Sequence, residues 1–176
     1  MKKINGFENV QATGETQRPV PGGYVVIITK VEDNPDKEYL CVEFDIAEGD
    51  YAGYCSEVFG RFGNWPALGR TYRSYKEKAL GMFKGFTKAI EDSPENNGYK
   101  WDWNEQDLLG KEFGAILGIE EYEGNDGSVR EGLKLARCVP TGKIHSGEFK
   151  IPEPKRLERG GGSFTDLGNV SVPFEL

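Results

Sequence analysis

Hydrophobic and polar positions divide the chain into a β-patterned first part, one amphipathic helix and a second β-patterned part. Tyr24 to Val31 is β-branched and apolar on both faces, which predicts a strand in a small closed sheet. A turn follows at Asp33-Asn34-Pro35-Asp36. Glu38 to Ile46 then alternates, with Leu40, Val42, Phe44 and Ile46 on one side and Tyr39, Cys41, Glu43 and Asp45 on the other, the pattern of a half-buried strand. Glu48-Gly49-Asp50 is a turn signal, and Tyr54 to Phe59 reads as a third strand of a meander.

Gly60 to Ser74 is aromatic, basic and glycine-rich without a period, and is predicted as loop. From Tyr75 to Glu91 the residues Ala79, Phe83, Phe86 and Ile90 fall on one helical face. Ser74 and Glu77 have the spacing of a capping box. Opposite the apolar face lie Lys84 and Lys88 with Gly81 and Gly85. Glycine inside a helix costs about 1 kcal/mol relative to alanine, so the pair needs a reason. Close approach of another backbone, nucleic acid included, is one; tight packing on a neighbouring loop is the other, and the sequence leaves both open.

Asp92 to Gly110 is an acidic connection carrying Tyr99, Trp101 and Trp103. Phe113 to Tyr122 and Val129 to Val139 flank Gly124-Asn125-Asp126-Gly127, a strong hairpin signal, with Arg130 and Lys134 in the outward set of the second strand. A short basic segment from Lys143 to Arg159 leads into Gly160-Gly161-Gly162. The predicted organisation is an N-terminal arm over 1–21, one domain over 22–159 and a flexible tail over 160–176.

Three strands, a helix and a two-strand hairpin give a mainly β chain in the element order of an OB-fold, a five-stranded Greek-key barrel with a helix between its third and fourth strands. A small α+β sheet with one helix on its side is the other arrangement with this order.

Composition narrows the function classes. The 176 residues suit one domain, 29% are charged, and no run is apolar enough to span a bilayer. With no apolar stretch behind Met1-Lys2-Lys3, a cytoplasmic location is expected. Cys41, Cys55 and Cys138 are widely spaced and accompanied by the single histidine, His145, so neither a disulfide framework nor a zinc site is expected. The net charge of −7 argues against binding a polyanion until its distribution is considered. Between Arg61 and Lys88, seven basic residues face the single acid Glu77, leaving −13 for the rest of the chain. This basic island sits between acidic stretches from Glu32 to Glu57 and from Glu91 to Asp126.

Binding a single strand without reading its bases needs cations for phosphates and flat rings for bases. The island supplies both. Arg61, Arg70, Arg73, Lys84 and Lys88 are the candidate phosphate contacts, and Phe62, Trp65, Tyr72 and Tyr75, which fall outside the helical period, are the candidate stacking platforms. Tyr39 and Tyr54 are either additional platforms or packed barrel tyrosines. Enzymatic alternatives are thinner. His145 alone would have to serve any nucleophilic dyad, no phosphate loop is present, and Glu43, Asp45 and Glu57 are the carboxylates that could hold Mg²⁺ in a nuclease. No cofactor is expected.

The run from Tyr72 to Phe86, with Asn97 to Asp102, Gly110 to Phe113 and Gly147 to Pro152, resembles a family of phage and prophage single-stranded-DNA-binding or recombination-associated proteins over about residues 20 to 157. The resemblance implies an OB-type fold and a role in phage DNA replication or recombination. Val172-Pro173-Phe174 is similar to the tail tip with which bacterial single-stranded-DNA-binding proteins dock on partner enzymes, although Glu175 and Leu176 follow it here. The expectation is therefore a non-enzymatic protein that binds single-stranded DNA and contacts replication or recombination proteins through its tail, with oligomers possible. The competing readings are a phage interaction protein that binds a host protein through its acidic surfaces, or a metal-dependent nuclease.

Overall fold

A computed structural model describes residues 17–158. Most of the predicted arm, Arg159, and the tail with Val172, Pro173 and Phe174 lie outside them.

The protein is built on a five-stranded antiparallel sheet in the order β3-β2-β1-β4-β5. β1 (Gly22–Asn34) is the central strand because its chain serves two partners. Its first part, Gly22 to Ile27, pairs with β4 (Glu112–Glu123), and Val26 to Asn34 pairs with β2 (Tyr39–Ile46). A register shift between Ile28 and Lys30 marks the change. β5 (Val129–Val139) closes the expected hairpin, whose turn is fixed by Gly127 at φ 75° and by Asp126 accepting from Ser128 and Arg130.

The alternation predicted for β2 holds on its inner face, where Leu40, Val42, Phe44 and Ile46 are buried with Val26, Ile28, Phe113 and Leu117. Helix α2 (Leu80–Glu91) lays Phe83, Phe86 and Ile90 on this core, and Phe86 meets Phe113 edge-on at 5.6 Å. Tyr75 and Ala79 precede the helix, with a 3₁₀ turn over Glu77–Ala79. Ser74 ends a strand instead of capping: its hydroxyl donates to the Glu38 carbonyl and accepts from the Lys76 N–H. A short helix, α3 (Thr141–His145), follows β5, and Lys155 then bridges to Glu120 of β4.

Two expectations fail together. The predicted third strand, Tyr54 to Phe59, lies in a helix, α1 (Tyr54–Phe62), and the third strand is β3 (Arg70–Ser74), inside the predicted loop. The helix wins for a local reason. Asp45, 4% exposed at the end of β2, accepts the backbone N–H groups of Cys55 and Ser56 at 2.8 and 3.0 Å, satisfying donors that open at a helix N-terminus and matching their partial positive charge. Gly53 and Gly63, at φ 76° and 73°, bracket the helix, and the Gly63 N–H closes it on the Phe59 carbonyl at 2.8 Å.

The sheet is open among the described residues. β3 and β5 are its two edges, and the Arg73 guanidinium reaches from one to the other, donating to Cys138 Sγ at 3.2 Å. No helix among the described residues is long and apolar enough to cross a membrane.

Candidate nucleic-acid interface

The basic aromatic island does not form one surface; the fold divides it among three places. The first is a groove of about 960 Å³ between α1 and β5. Tyr54, Val58 and Phe62 recur every fourth residue along α1 and line one wall, together with Glu57 and Arg61 one step round the same face. Glu57 and Arg61 pair at 2.6 Å. Tyr122 and Lys134 stand on the opposite wall, the ammonium 5.8 Å from the ring centroid, and Arg18 lies at the edge. Phe62 is 72% exposed, far more than packing requires of a phenylalanine. Three cations and two carboxylates, Glu57 and Glu131, thus surround three aromatic rings.

The second place is the outer face of β2 and β3. Tyr72 lies across from Cys41 in the ladder and meets the Tyr39 ring edge-on at 5.4 Å. Arg70 donates through Nε and Nη2 to Glu43 Oε1 at 3.0 and 2.6 Å, and this partner raises the already high guanidinium pKa. Of the two tyrosines left open by the sequence, Tyr39 is buried at 9% exposure, while Tyr54 is half-buried against the core and also lines the groove.

The third place is the exposed side of α2, with Lys84 and Lys88; Lys88 pairs with Asp92 at 2.8 Å. Tyr75 is nearby but engaged, its ring edge-on to Phe83 and its hydroxyl donating to Asp33 Oδ1 at 2.8 Å. Burial first, and the Asp33 carboxylate second, push this phenol up to about 12.

Trp65 and Arg73 belong to none of these surfaces. Trp65 is half-buried between α1 and β3; its ring packs on Phe59 and its indole N–H donates to the Gly69 carbonyl at 2.9 Å. Arg73 shares the inward face of β3 and lies over the buried Phe86 ring at 5.4 Å.

The carboxylates named for a metal are each committed elsewhere: Glu43 to Arg70, Glu57 to Arg61, and Asp45 to α1 through both oxygens, including Ser56 Oγ at 2.6 Å. Among the described residues no three His, Cys, Asp or Glu side chains are placed to hold a metal ion. His145 pairs through Nε2 with Glu48 at 2.6 Å. Cys41, Cys55 and Cys138 are free, and burial pushes all three thiols up, away from the reactive thiolate.

Sequence reasoning missed Arg18, Tyr122 and Lys134 because the segment before β1, β4 and β5 come together only once the sheet faces α1. The helical spacing of Tyr54, Val58 and Phe62, with the Glu57–Arg61 pair and flanking glycines, was the available signal. No protein-family model matches this chain, and no curated protein matches it.

Proposed function

We propose that this protein binds single-stranded DNA, without reading its sequence and without catalysing a reaction, in phage DNA replication or recombination. The observation that carries this reading is the α1–β5 groove, where Arg18, Arg61 and Lys134 accompany the exposed rings of Phe62 and Tyr122 and the half-buried ring of Tyr54. Phosphates take the cations and unstacked bases take the rings. The order of strands, with α2 between β3 and β4, supports an OB-type fold in which Arg73 and the segment before β3 fill the gap between the edge strands. The single-stranded-DNA-binding family that the sequence resembles supports the same reading, and Val172-Pro173-Phe174 is proposed as the contact for replication or recombination proteins.

Fluorescence anisotropy of labelled oligo-dT, with duplex of equal length as control, tests it. The single strand binds more tightly than the duplex. Releasing counterions from three phosphate contacts gives a slope of log K against log salt of roughly −2. Phe62→Ala weakens binding about 5- to 150-fold, the range for one stacked base, and leaves thermal stability almost unchanged because the ring is exposed. No binding at low salt refutes the proposal.

A further inference from the structure

Gly81 stands in the first turn of α2 and Gly85 in its middle, where a glycine is expensive, and among the described residues the fold does not use either for packing. Among the described residues, a Cβ at either position would meet nothing within 4 Å. Close packing of a neighbouring loop is therefore not what the two glycines serve among those residues, and this face of the helix is open to close approach by another chain.

The adjoining stripe of the same helix is unusual in a different way. Leu80, Phe83, Lys84 and Lys88 line one side of a groove of about 650 Å³ with Trp101 and Trp103 on the other, and its one carboxylate, Glu91, is held by the Trp101 N–H at 2.9 Å and by Lys100 at 3.6 Å. Trp103 is 72% exposed and has a backbone φ of 58°, a left-handed conformation that a bulky side chain adopts only when its surroundings hold it there. Its ring lies within 16° of parallel to the buried Phe83 ring, centroids 6.4 Å apart, so the exposed indole belongs to an aromatic cluster that continues into the core. At 100° per residue, Lys84 and Lys88 fall between the glycine stripe and the tryptophan groove. Lys84 forms no ion pair among the described residues.

We infer that this face of α2 is a second contact for single-stranded DNA, in which a base stacks on Trp103 and the sugar-phosphate backbone passes over Gly81 and Gly85 within reach of Lys84 and Lys88. The inference rests on the single-stranded-DNA reading and adds to it a site on a separate face, with residues outside the α1–β5 groove. Each part of the surface has its use: the rings accept a flat apolar partner, Lys84 accepts a phosphate directly while Lys88 does so by exchanging its exposed Asp92 partner, and the missing Cβ atoms let a chain lie close to the helix.

Gly85→Gln and Trp103→Ala test it in the full chain, with labelled oligo-dT as probe and Phe62→Ala in parallel. Gly85→Gln puts a good helix former on an open helix face, so it holds or raises the melting temperature while obstructing the strand. Both variants are expected to bind oligo-dT at least five-fold more weakly than the wild type. If the wild type and Phe62→Ala behave as proposed while Gly85→Gln and Trp103→Ala bind with wild-type affinity, the α2 site is refuted and the first reading stands. If the wild type binds no oligo-dT, both fail.

Discussion

Asp45 shows how a residue's meaning depends on a partner the sequence does not announce. Beside Glu43 and Glu57 it resembles a metal ligand; in the structure it is a buried anion with four donors, the N–H groups of Ile46, Cys55 and Ser56 and the Ser56 hydroxyl. Removing it leaves those donors without their charged acceptor, so Asp45→Ala is expected to lower stability by about 3 kcal/mol in urea unfolding, with Asp45→Asn recovering part of the loss. A loss below about 1 kcal/mol would mean that α1 holds without this anchor. Arg73 is the converse case. It stands in the middle of the basic run, yet its guanidinium turns onto Phe86 and Cys138. Arg73→Leu is therefore expected to leave both oligo-dT affinity and the salt slope unchanged, whereas Arg61→Ala weakens binding and flattens the slope by about 1.

At the level of elements, segments with a continuous one-faced apolar pattern were legible, while α1, whose N-terminus is anchored by Asp45, and β3 were not. β1, β2, α2 and the β4–β5 hairpin follow from alternation, a four-residue apolar recurrence and a glycine-containing turn, all of which reflect burial of one face. β3 has five residues, of which Arg70, Thr71, Tyr72, Arg73 and Ser74 include no aliphatic side chain, so pairing with β2 alone makes it a strand. Its position depends on the turn before it. Gly69 is buried where that turn passes beneath α1, and a Cβ there would lie 2.5 Å from Cys55 Sγ and 2.7 Å from the Phe44 carbonyl oxygen. Gly69→Ala must displace backbone, and a destabilisation of about 3 kcal/mol or more is expected, with Trp65 emission shifting as its bond to the Gly69 carbonyl is lost. The candidate site was legible by residue type and only partly by place: Tyr54, Arg61 and Phe62 meet in one groove, while Tyr72 and Arg70, Tyr75, Trp65 and Arg73 are distributed elsewhere because they sit on different faces of β3 and different sides of α1 and α2.

For the molecule as a whole, alkaline conditions probe how well the aromatic packing is sealed. Burial raises the Tyr75 and Tyr99 phenols to about 12, with nearby carboxylates adding to the effect. An unfolded tyrosine ionises near 10. Between about pH 10 and 12 the unfolded state has thus lost protons that the native state retains, so stability is complete below pH 10 and falls as pH rises through that window. Urea midpoints at pH 9, 10 and 11 should decline, and Tyr75→Phe should make the decline shallower; a flat profile would place both phenols in water. The division of β1 between two partners has a kinetic consequence. β1, β2 and β3 form a meander, and β4 with β5 a hairpin, but Gly22 must find Leu117 to join them. Within the sheet, the chain-closure entropy of that long loop falls on one short seam, Gly22 to Ile27 against Glu112 to Leu117, so docking of the two halves is expected to be the slow step of folding, to be checked by stopped-flow refolding of seam and hairpin-tip variants. Substitutions in the seam should therefore change the folding rate, while those at the hairpin tip around Asp126 change mainly the unfolding rate.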